Sequence, residues 1–187
     1  SGMAVNVNPD QISEPFAQPF GKAEQKAMAA AFVQKPDLIS ALFDALRSAP
    51  PRMAARMAWV VDEISCIGPE LMDEHKNDII ALVINSDQQA VLRNLLKVML
   101  LFSTSEAEAT ALFDRCMHLA ANPINEITVR CNALSLAYHI ALQYPGLEQE
   151  VYALAESLRH SNSAGLRSRI DKLLQVKCLN SNEVMIA

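Results

Sequence analysis

The chain has 187 residues, of which 51% are hydrophobic and 20% are charged, and its formal net charge is −5. This composition excludes a largely disordered protein and allows one domain with a sizeable core. The net negative charge disfavours nucleic acid as a partner, because it would repel a phosphate backbone unless the basic residues were gathered on one face.

The first part of the chain, residues 1–20, is predicted to be an extended arm, because it has few regularly spaced apolar residues and contains Pro9, Pro15 and Pro19. A Pro-Phe step occurs twice in it, ending at Phe16 and at Phe20. Two phenylalanines exposed to water would be unfavourable. They either cover the first helices as an N-terminal cap, which we favour, or dock into another molecule.

Helical periodicity dominates the chain after the arm. A first helix is predicted over residues 22–33, and prolines, glycines and short polar turns divide the following sequence into helix pairs. The predicted pairs occupy residues 37–66, 70–102, 104–143 and 147–176. Residues 177–187 lose the periodicity and are assigned to a C-terminal tail that we expect to be partly disordered.

An arginine recurs every 37 residues within the predicted second helix of each pair, at Arg56, Arg93, Arg130 and Arg167. Three residues after each arginine the side chain is apolar: Trp59, Leu96, Ala133 and Ile170. A period of this length indicates stacked two-helix repeats. We therefore predict an all-α fold in which residues 21–176 form one domain, a right-handed α-α superhelix (solenoid) of about four helical hairpins.

Two segments resemble a known repeat family. The sequence from Asp87 to Leu96 and the run Val129-Arg130-Cys131-Asn132-Ala133-Leu134 are similar to the second-helix signature of HEAT repeats. The first, third and last units depart from this pattern, since Pro50, Ile124 and Ser161 occupy the place of Asp87. The resemblance implies a scaffold, transport receptor, regulatory subunit or, more rarely, an enzyme.

A further segment, Ala-Trp-Val-Val-Asp-Glu at 58–63, resembles short bacterial HEAT-like proteins that sometimes carry an adenylosuccinate lyase label. The chain lacks the flexible serine-rich loop of that lyase and is far shorter than the enzyme. We therefore do not carry the activity over.

The recurring arginines allow two interpretations. Each guanidinium either bonds carbonyls or carboxylates of the adjoining unit, which we favour, or faces the concave groove and binds a partner. The candidate binding residues form a stripe of mixed charge along the second helices: Arg52, Arg56, Arg93, Lys97 and Arg130. This pattern favours a protein or peptide over nucleic acid, so our leading hypothesis is a non-enzymatic interaction or scaffold module.

The alternative hypothesis is an enzyme of the DNA-glycosylase kind. Trp59, Asp62 and Glu63 would supply an aromatic ring to stack on a damaged base and carboxylates to stabilise positive charge at the sugar, with Arg93 nearby. Such an enzyme needs a basic groove to hold DNA, which the composition does not indicate. For Trp59 we favour a place in the core, because its repeat equivalents are apolar.

No cofactor or metal site is predicted. The cysteines form no C-x-x-C pair, and Cys116 and His118 would lie on different faces of one helix. We expect the cysteines within apolar stretches, including Cys66, to behave as small hydrophobes.

No apolar stretch is long enough to suggest a membrane partner, and we expect a cytoplasmic protein. The oligomeric state stays open, with self-association through apolar surface as a third hypothesis.

Overall fold

The computed structural model describes the backbone of residues 7–186 and the side chains of residues 7–177. Every regular element in this part of the chain is helical: it contains nine α-helices, six short 3-10 helices and no strand. The prediction of an all-α fold built from helical hairpins is confirmed.

The chain divides into two compact units, the first ending at Phe102 and the second beginning at Ser103. From the sequence alone, we predicted that residues 21–176 form one domain. Two of the predicted helix pairs lie in each unit.

Unit 1 contains the arm and five α-helices. Their bounds are α1 Lys22–Gln34, α2 Ile39–Ser48, α3 Pro51–Ile67, α4 Lys76–Asn85 and α5 Gln89–Val98. Helices α1, α3 and α5 pack side by side as one layer, whereas α2 packs against α3 and α4 packs against α5. The α2–α3 and α4–α5 hairpins are therefore the first two predicted pairs.

One boundary in unit 1 differs from the prediction. The segment Pro69–His75 is a 3-10 helix, and α4 begins only at Lys76. Met72 and His75 are both buried, and the His75 ring stacks on Phe43 with 4.9 Å between ring centroids. Because residues three apart lie on one side of a 3-10 helix, this winding places both side chains in the core. Apolar periodicity along the sequence does not reveal that tertiary requirement.

The arm also differs from the extended chain that was predicted. Residues 9–11 and 14–16 form short 3-10 helices, each with a proline in its first turn, where the missing N–H is not needed. The Asn8 side chain accepts a hydrogen bond from the Asp10 amide and caps the first of them. Three apolar side chains of the arm are buried: Val7, Ile12 and Phe16. Residues 1–6 of the predicted arm lie outside the described residues.

Unit 2 contains α6 Glu106–Ala121, α7 Ile127–Gln143, α8 Glu148–Ser157 and α9 Ala164–Ile186. Helix α7 packs against α6, α8 and α9, and α8 also packs against α9. The start of α6 carries a reciprocal cap, because Ser105 Oγ accepts from the Glu108 amide and Glu108 Oε1 accepts from the Ser105 amide.

Helix α9 extends through most of the segment that was assigned to a tail. Its backbone is helical as far as Ile186. Residues 177–187 contain no proline or glycine, so the loss of apolar periodicity does not by itself end the helix. The side chains beyond residue 177 are outside the described residues.

The cysteines differ in environment. Cys66 is exposed, in contrast to the prediction, whereas Cys116 and Cys131 are buried. Burial raises the pKa of the Cys116 thiol to about 12, and it also raises the pKa of Cys131. A buried thiol that stays protonated is a poor nucleophile.

We therefore expect iodoacetamide at pH 8 to alkylate Cys66 at least about 100-fold faster than Cys116 in the native protein. In 6 M guanidinium chloride the two rates should become similar. Mass spectrometry of the peptides measures each cysteine separately, and equal native rates would contradict the burial of Cys116.

Candidate functional site

The residues predicted for the binding stripe lie in both units. Four of them, Arg52, Arg56, Arg93 and Lys97, lie on the adjacent helices α3 and α5 of unit 1, and we call these four the basic stripe. Arg52 and Lys97 are exposed, and Arg56 and Arg93 are partly buried. Arg130 lies on α7 of unit 2.

The arm of the same chain docks beside Arg56. Arg56 Nη1 donates a hydrogen bond of 2.9 Å to the Phe16 carbonyl oxygen, and the Phe16 side chain is fully buried. The Phe20 ring stacks on Trp59 with 5.8 Å between ring centroids and only 6° between ring planes. The two phenylalanine rings of the arm contact each other edge to face at 6.1 Å. The arm therefore folds back onto α3, as the favoured interpretation predicts.

Trp59 does not have the fully buried core position that was expected. The equivalent residues Leu96, Ala133 and Ile170 are completely buried, but Trp59 is only partly buried. Its carbonyl accepts a hydrogen bond of 2.8 Å from Gln25 Nε2 of α1, and Phe20 covers its ring. The large indole thus extends to the edge of the helical layer, where the arm covers it.

A salt bridge that the sequence did not predict joins α3 and α5. Lys97 Nζ lies 2.9 Å from Asp62 Oδ2, and the Asp62 side chain is 13% exposed whereas that of Lys97 is 50% exposed. Since the aspartate is mostly withdrawn from water, the bond to lysine offsets the cost of burying its charge. The signal in the sequence was the spacing of 35 residues, close to the repeat of 37, which brings opposite charges to neighbouring positions on adjacent second helices.

Trp59, Asp62 and Glu63 have three different environments. The Trp59 ring contacts the arm, the Asp62 carboxylate bonds Lys97, and Glu63 is partly exposed. The cluster proposed for a glycosylase-like site is therefore contiguous along α3, but two of its members are already engaged.

Arg130 is almost fully buried, with 6% of its surface exposed. Its Nε donates a hydrogen bond of 2.9 Å to the Ala120 carbonyl oxygen at the end of α6. A partner cannot reach a guanidinium in this position without displacing the α6–α7 contact. Arg130 therefore has a structural role, but its partner lies on the other helix of its own pair and not, as was predicted, in the adjoining unit.

Arg167 is the second recurring arginine of unit 2, and it also bonds a main-chain carbonyl. This exposed residue donates from Nη1 to the Ser161 carbonyl oxygen at 2.6 Å, in the turn between α8 and α9. Like Arg56 and Arg130, it bonds a main-chain carbonyl outside its own helix. A planar group with five donors suits this task, because it can satisfy a carbonyl at a chain turn while its stem packs along the helix.

The described residues contain no group of three or more histidine, cysteine, aspartate or glutamate side chains that could hold a metal ion. None of their helices is long and apolar enough to cross a lipid bilayer.

Comparison with known proteins gives one finding. The family model described as a HEAT repeat domain matches residues 12–177. No curated protein and no solved structure matches the chain, so the resemblance to proteins with an adenylosuccinate lyase label is not borne out. The family match spans both helical units and begins within the arm, and the chain therefore belongs to the HEAT repeat family.

Proposed function

We propose that the protein is an interaction module whose unit 1 binds an extended segment of a partner protein on the α3–α5 surface that carries the basic stripe. HEAT repeats generally serve as protein-interaction or scaffold modules, and this general role comes with membership of the family. The choice of surface and of ligand is our own inference.

The docked arm supports this choice most directly. It shows how α3 accommodates a segment of polypeptide that is not an α-helix: Arg56 bonds a main-chain carbonyl, and aromatic side chains occupy the apolar surface beside it. Recognition of a main-chain carbonyl does not depend on the identity of the side chain. The same chemistry on α5 would suit a partner segment that lies alongside the arm.

The charges of the basic stripe also favour a protein ligand. Lys97 is paired with Asp62, so its charge is largely offset within the stripe. Arg52 is exposed at the start of α3, and Glu63 adds a partly exposed carboxylate further along the same helix. A short surface of mixed sign suits polar and acidic side chains of a polypeptide, whereas a nucleic acid needs a continuous row of cations.

The alternative function as a DNA-glycosylase-like enzyme receives less support from the same contacts. Phe20 lies parallel on the Trp59 ring, where a damaged base would have to stack. The Asp62 carboxylate bonds Lys97 and is mostly buried, so it is poorly placed to approach a sugar. Displacement of the arm from Trp59 during turnover of a damaged duplex would be required for this alternative to hold.

The proposal is tested by site-specific photo-crosslinking in native extract. The photoreactive amino acid p-benzoylphenylalanine replaces Arg52 on α3 in one sample and Ser40 on α2 in a control sample, and both positions are exposed. We expect crosslinks to a discrete partner protein from position 52 and not from position 40. Changing Arg93 to glutamate in the position 52 sample should reduce the yield about fivefold or more.

Equal crosslinking from the two positions would contradict the choice of surface. A yield at position 52 that Arg93→Glu leaves unchanged would contradict the role of the basic stripe. Circular dichroism of each variant distinguishes these outcomes from loss of the fold.

A further inference from the structure

A groove of about 210 Å³ lies in unit 2, between α6 and the chain that leads into α8. Its volume is below the roughly 300–1,000 Å³ of typical small-molecule sites. It therefore suits the side chains of a partner polypeptide better than a metabolite.

The apolar part of this groove has a buried side and an accessible side. Ala109 and Phe113 of α6 are almost fully buried, whereas Tyr144 and Leu147 are partly exposed and can contact a ligand. The Tyr144 hydroxyl donates a hydrogen bond of 2.7 Å to the Thr104 carbonyl oxygen, which holds the ring in place. A ligand therefore meets apolar surface that is formed before it binds.

Every charged residue that lines the groove is acidic. Glu106 and Asp114 lie on α6, Glu150 lies on α8, and all three are exposed. No ion pair joins these carboxylates to a basic side chain within the described part of the chain. Three carboxylates around one groove, without a lysine or arginine among them, repel an anion and attract a cation.

The spacing of the carboxylates favours an extended cation over a metal ion. Glu106 and Asp114 are separated by two turns of α6, which corresponds to a rise of about 12 Å. The described residues offer no group of acidic, histidine or cysteine side chains that could converge on a metal ion. An extended polypeptide advances about 3.3 Å per residue, so side chains at alternate positions of a five-residue segment cover about the same distance.

We propose that this groove binds a segment of a partner polypeptide that carries basic side chains at alternate positions. The aliphatic stem of one basic side chain packs on Tyr144 and Leu147, and the cationic groups lie beside Glu106, Asp114 and Glu150. Basic side chains suit a groove of this kind, because they bury the stem while the charge stays at the solvent-exposed rim. The site lies wholly in unit 2 and is independent of the surface proposed for α3 and α5.

The test is a titration of the full chain with three probes, followed by two-dimensional ¹⁵N NMR. The probes are the peptide acetyl-Lys-Gly-Lys-Gly-Lys-amide, the same peptide with glutamine in place of each lysine, and the free polyamine spermine. We expect the lysine peptide to cause saturable shifts of the amides of residues 106–114 and 144–150. The glutamine peptide, which lacks the charges, should bind at least about tenfold more weakly.

Removing the three negative charges should weaken binding of the lysine peptide. We expect the affinity to fall at least about tenfold in a variant that combines Glu106→Gln, Asp114→Asn and Glu150→Gln. Leu147→Ala leaves the charges unchanged and shortens the apolar wall, so it should weaken binding about threefold.

The matched control changes the net charge equally in unit 1. It combines Glu70→Gln, Asp73→Asn and Glu74→Gln, and all three residues are exposed in the 3-10 helix before α4. Because this variant leaves the groove intact, it should alter the affinity for the lysine peptide less than about twofold.

Several results would overturn the proposal. Equal affinity for the lysine and glutamine peptides would exclude recognition of the positive charges, and equal effects of the two triple variants would exclude a specific role of the groove. Binding of spermine without binding of the lysine peptide would assign the groove to a free polyamine and not to a polypeptide. Circular dichroism verifies that each variant is folded, and the comparison of the two peptides needs only the parent protein.

Discussion

Replacing Phe16 with alanine is expected to lower the free energy of unfolding of unit 1 by about 3–5 kcal/mol. The Phe16 side chain is fully buried and contacts the Phe20 ring edge to face, so the substitution leaves a cavity beneath the arm. Trp59 is the single tryptophan of the chain and stacks on Phe20, so its fluorescence during urea denaturation reports on this region of unit 1.

Phe20→Ala is the matched control for this substitution. Phe20 is only partly buried, and its removal mainly costs the ring contacts with Trp59 and Phe16, so we expect a loss of about 1–2 kcal/mol. A Phe16→Ala variant as stable as the parent protein would show that the arm contributes no stability to the helices it covers. The cap interpretation of the arm would then be wrong.

Replacing Arg130 with alanine is expected to lower the free energy of unfolding of unit 2 by about 2–4 kcal/mol. The substitution removes a buried side chain and leaves the Ala120 carbonyl without its hydrogen bond from Nε. Because Trp59 lies in unit 1, unfolding of unit 2 is better followed by the alkylation of Cys116, which is completely buried in α6.

The control for Arg130 is Arg159→Ala in the same unit. Arg159 is exposed and pairs at 3.4 Å with Glu156, which is exposed as well, so we expect a change within about 0.5 kcal/mol. If both substitutions had the same small effect, the buried guanidinium would contribute nothing to stability. Arg130 would then no longer support a structural role for the recurring arginines.

The structure separates enclosed from accessible side chains among the recurring arginines, which the sequence placed in one category. Arg56 and Arg130 occupy equivalent repeat positions, but one bonds the arm at a partly accessible site and the other is enclosed in unit 2. A partner that displaces the arm could reach Arg56. Arg130 is therefore omitted from the binding surface that we propose.

The helical repeat was predictable because it depends on local periodicity. Apolar residues at helical spacing, together with breakers such as Pro50-Pro51 and Gly68-Pro69, placed the α2–α3 hairpin within a few residues of its observed bounds. The equal spacing of the arginines then indicated that the hairpins repeat. The boundary before α4 was missed because buried Met72 and His75, and not local preference, determine the winding of that segment.

The candidate site was less predictable, because it depends on which atoms from distant parts of the sequence meet within unit 1. The position of Asp62 was known from the sequence, but its pairing with Lys97 depends on the lateral packing of α3 on α5. Nothing in the sequence around Gln88 indicates that its side-chain oxygen is buried without a hydrogen-bond partner among the described residues.

The sequence by itself determined the helical class, the hairpin units and the family, since all three follow from the order of apolar and helix-breaking residues. The tertiary structure alone decided which polar groups are enclosed, paired or accessible: it buried Arg130, covered Trp59 with the arm and paired Asp62 with Lys97. The physical reason is that a side chain's direction follows from its own helix, whereas its desolvation and its partners depend on neighbours distant in the chain.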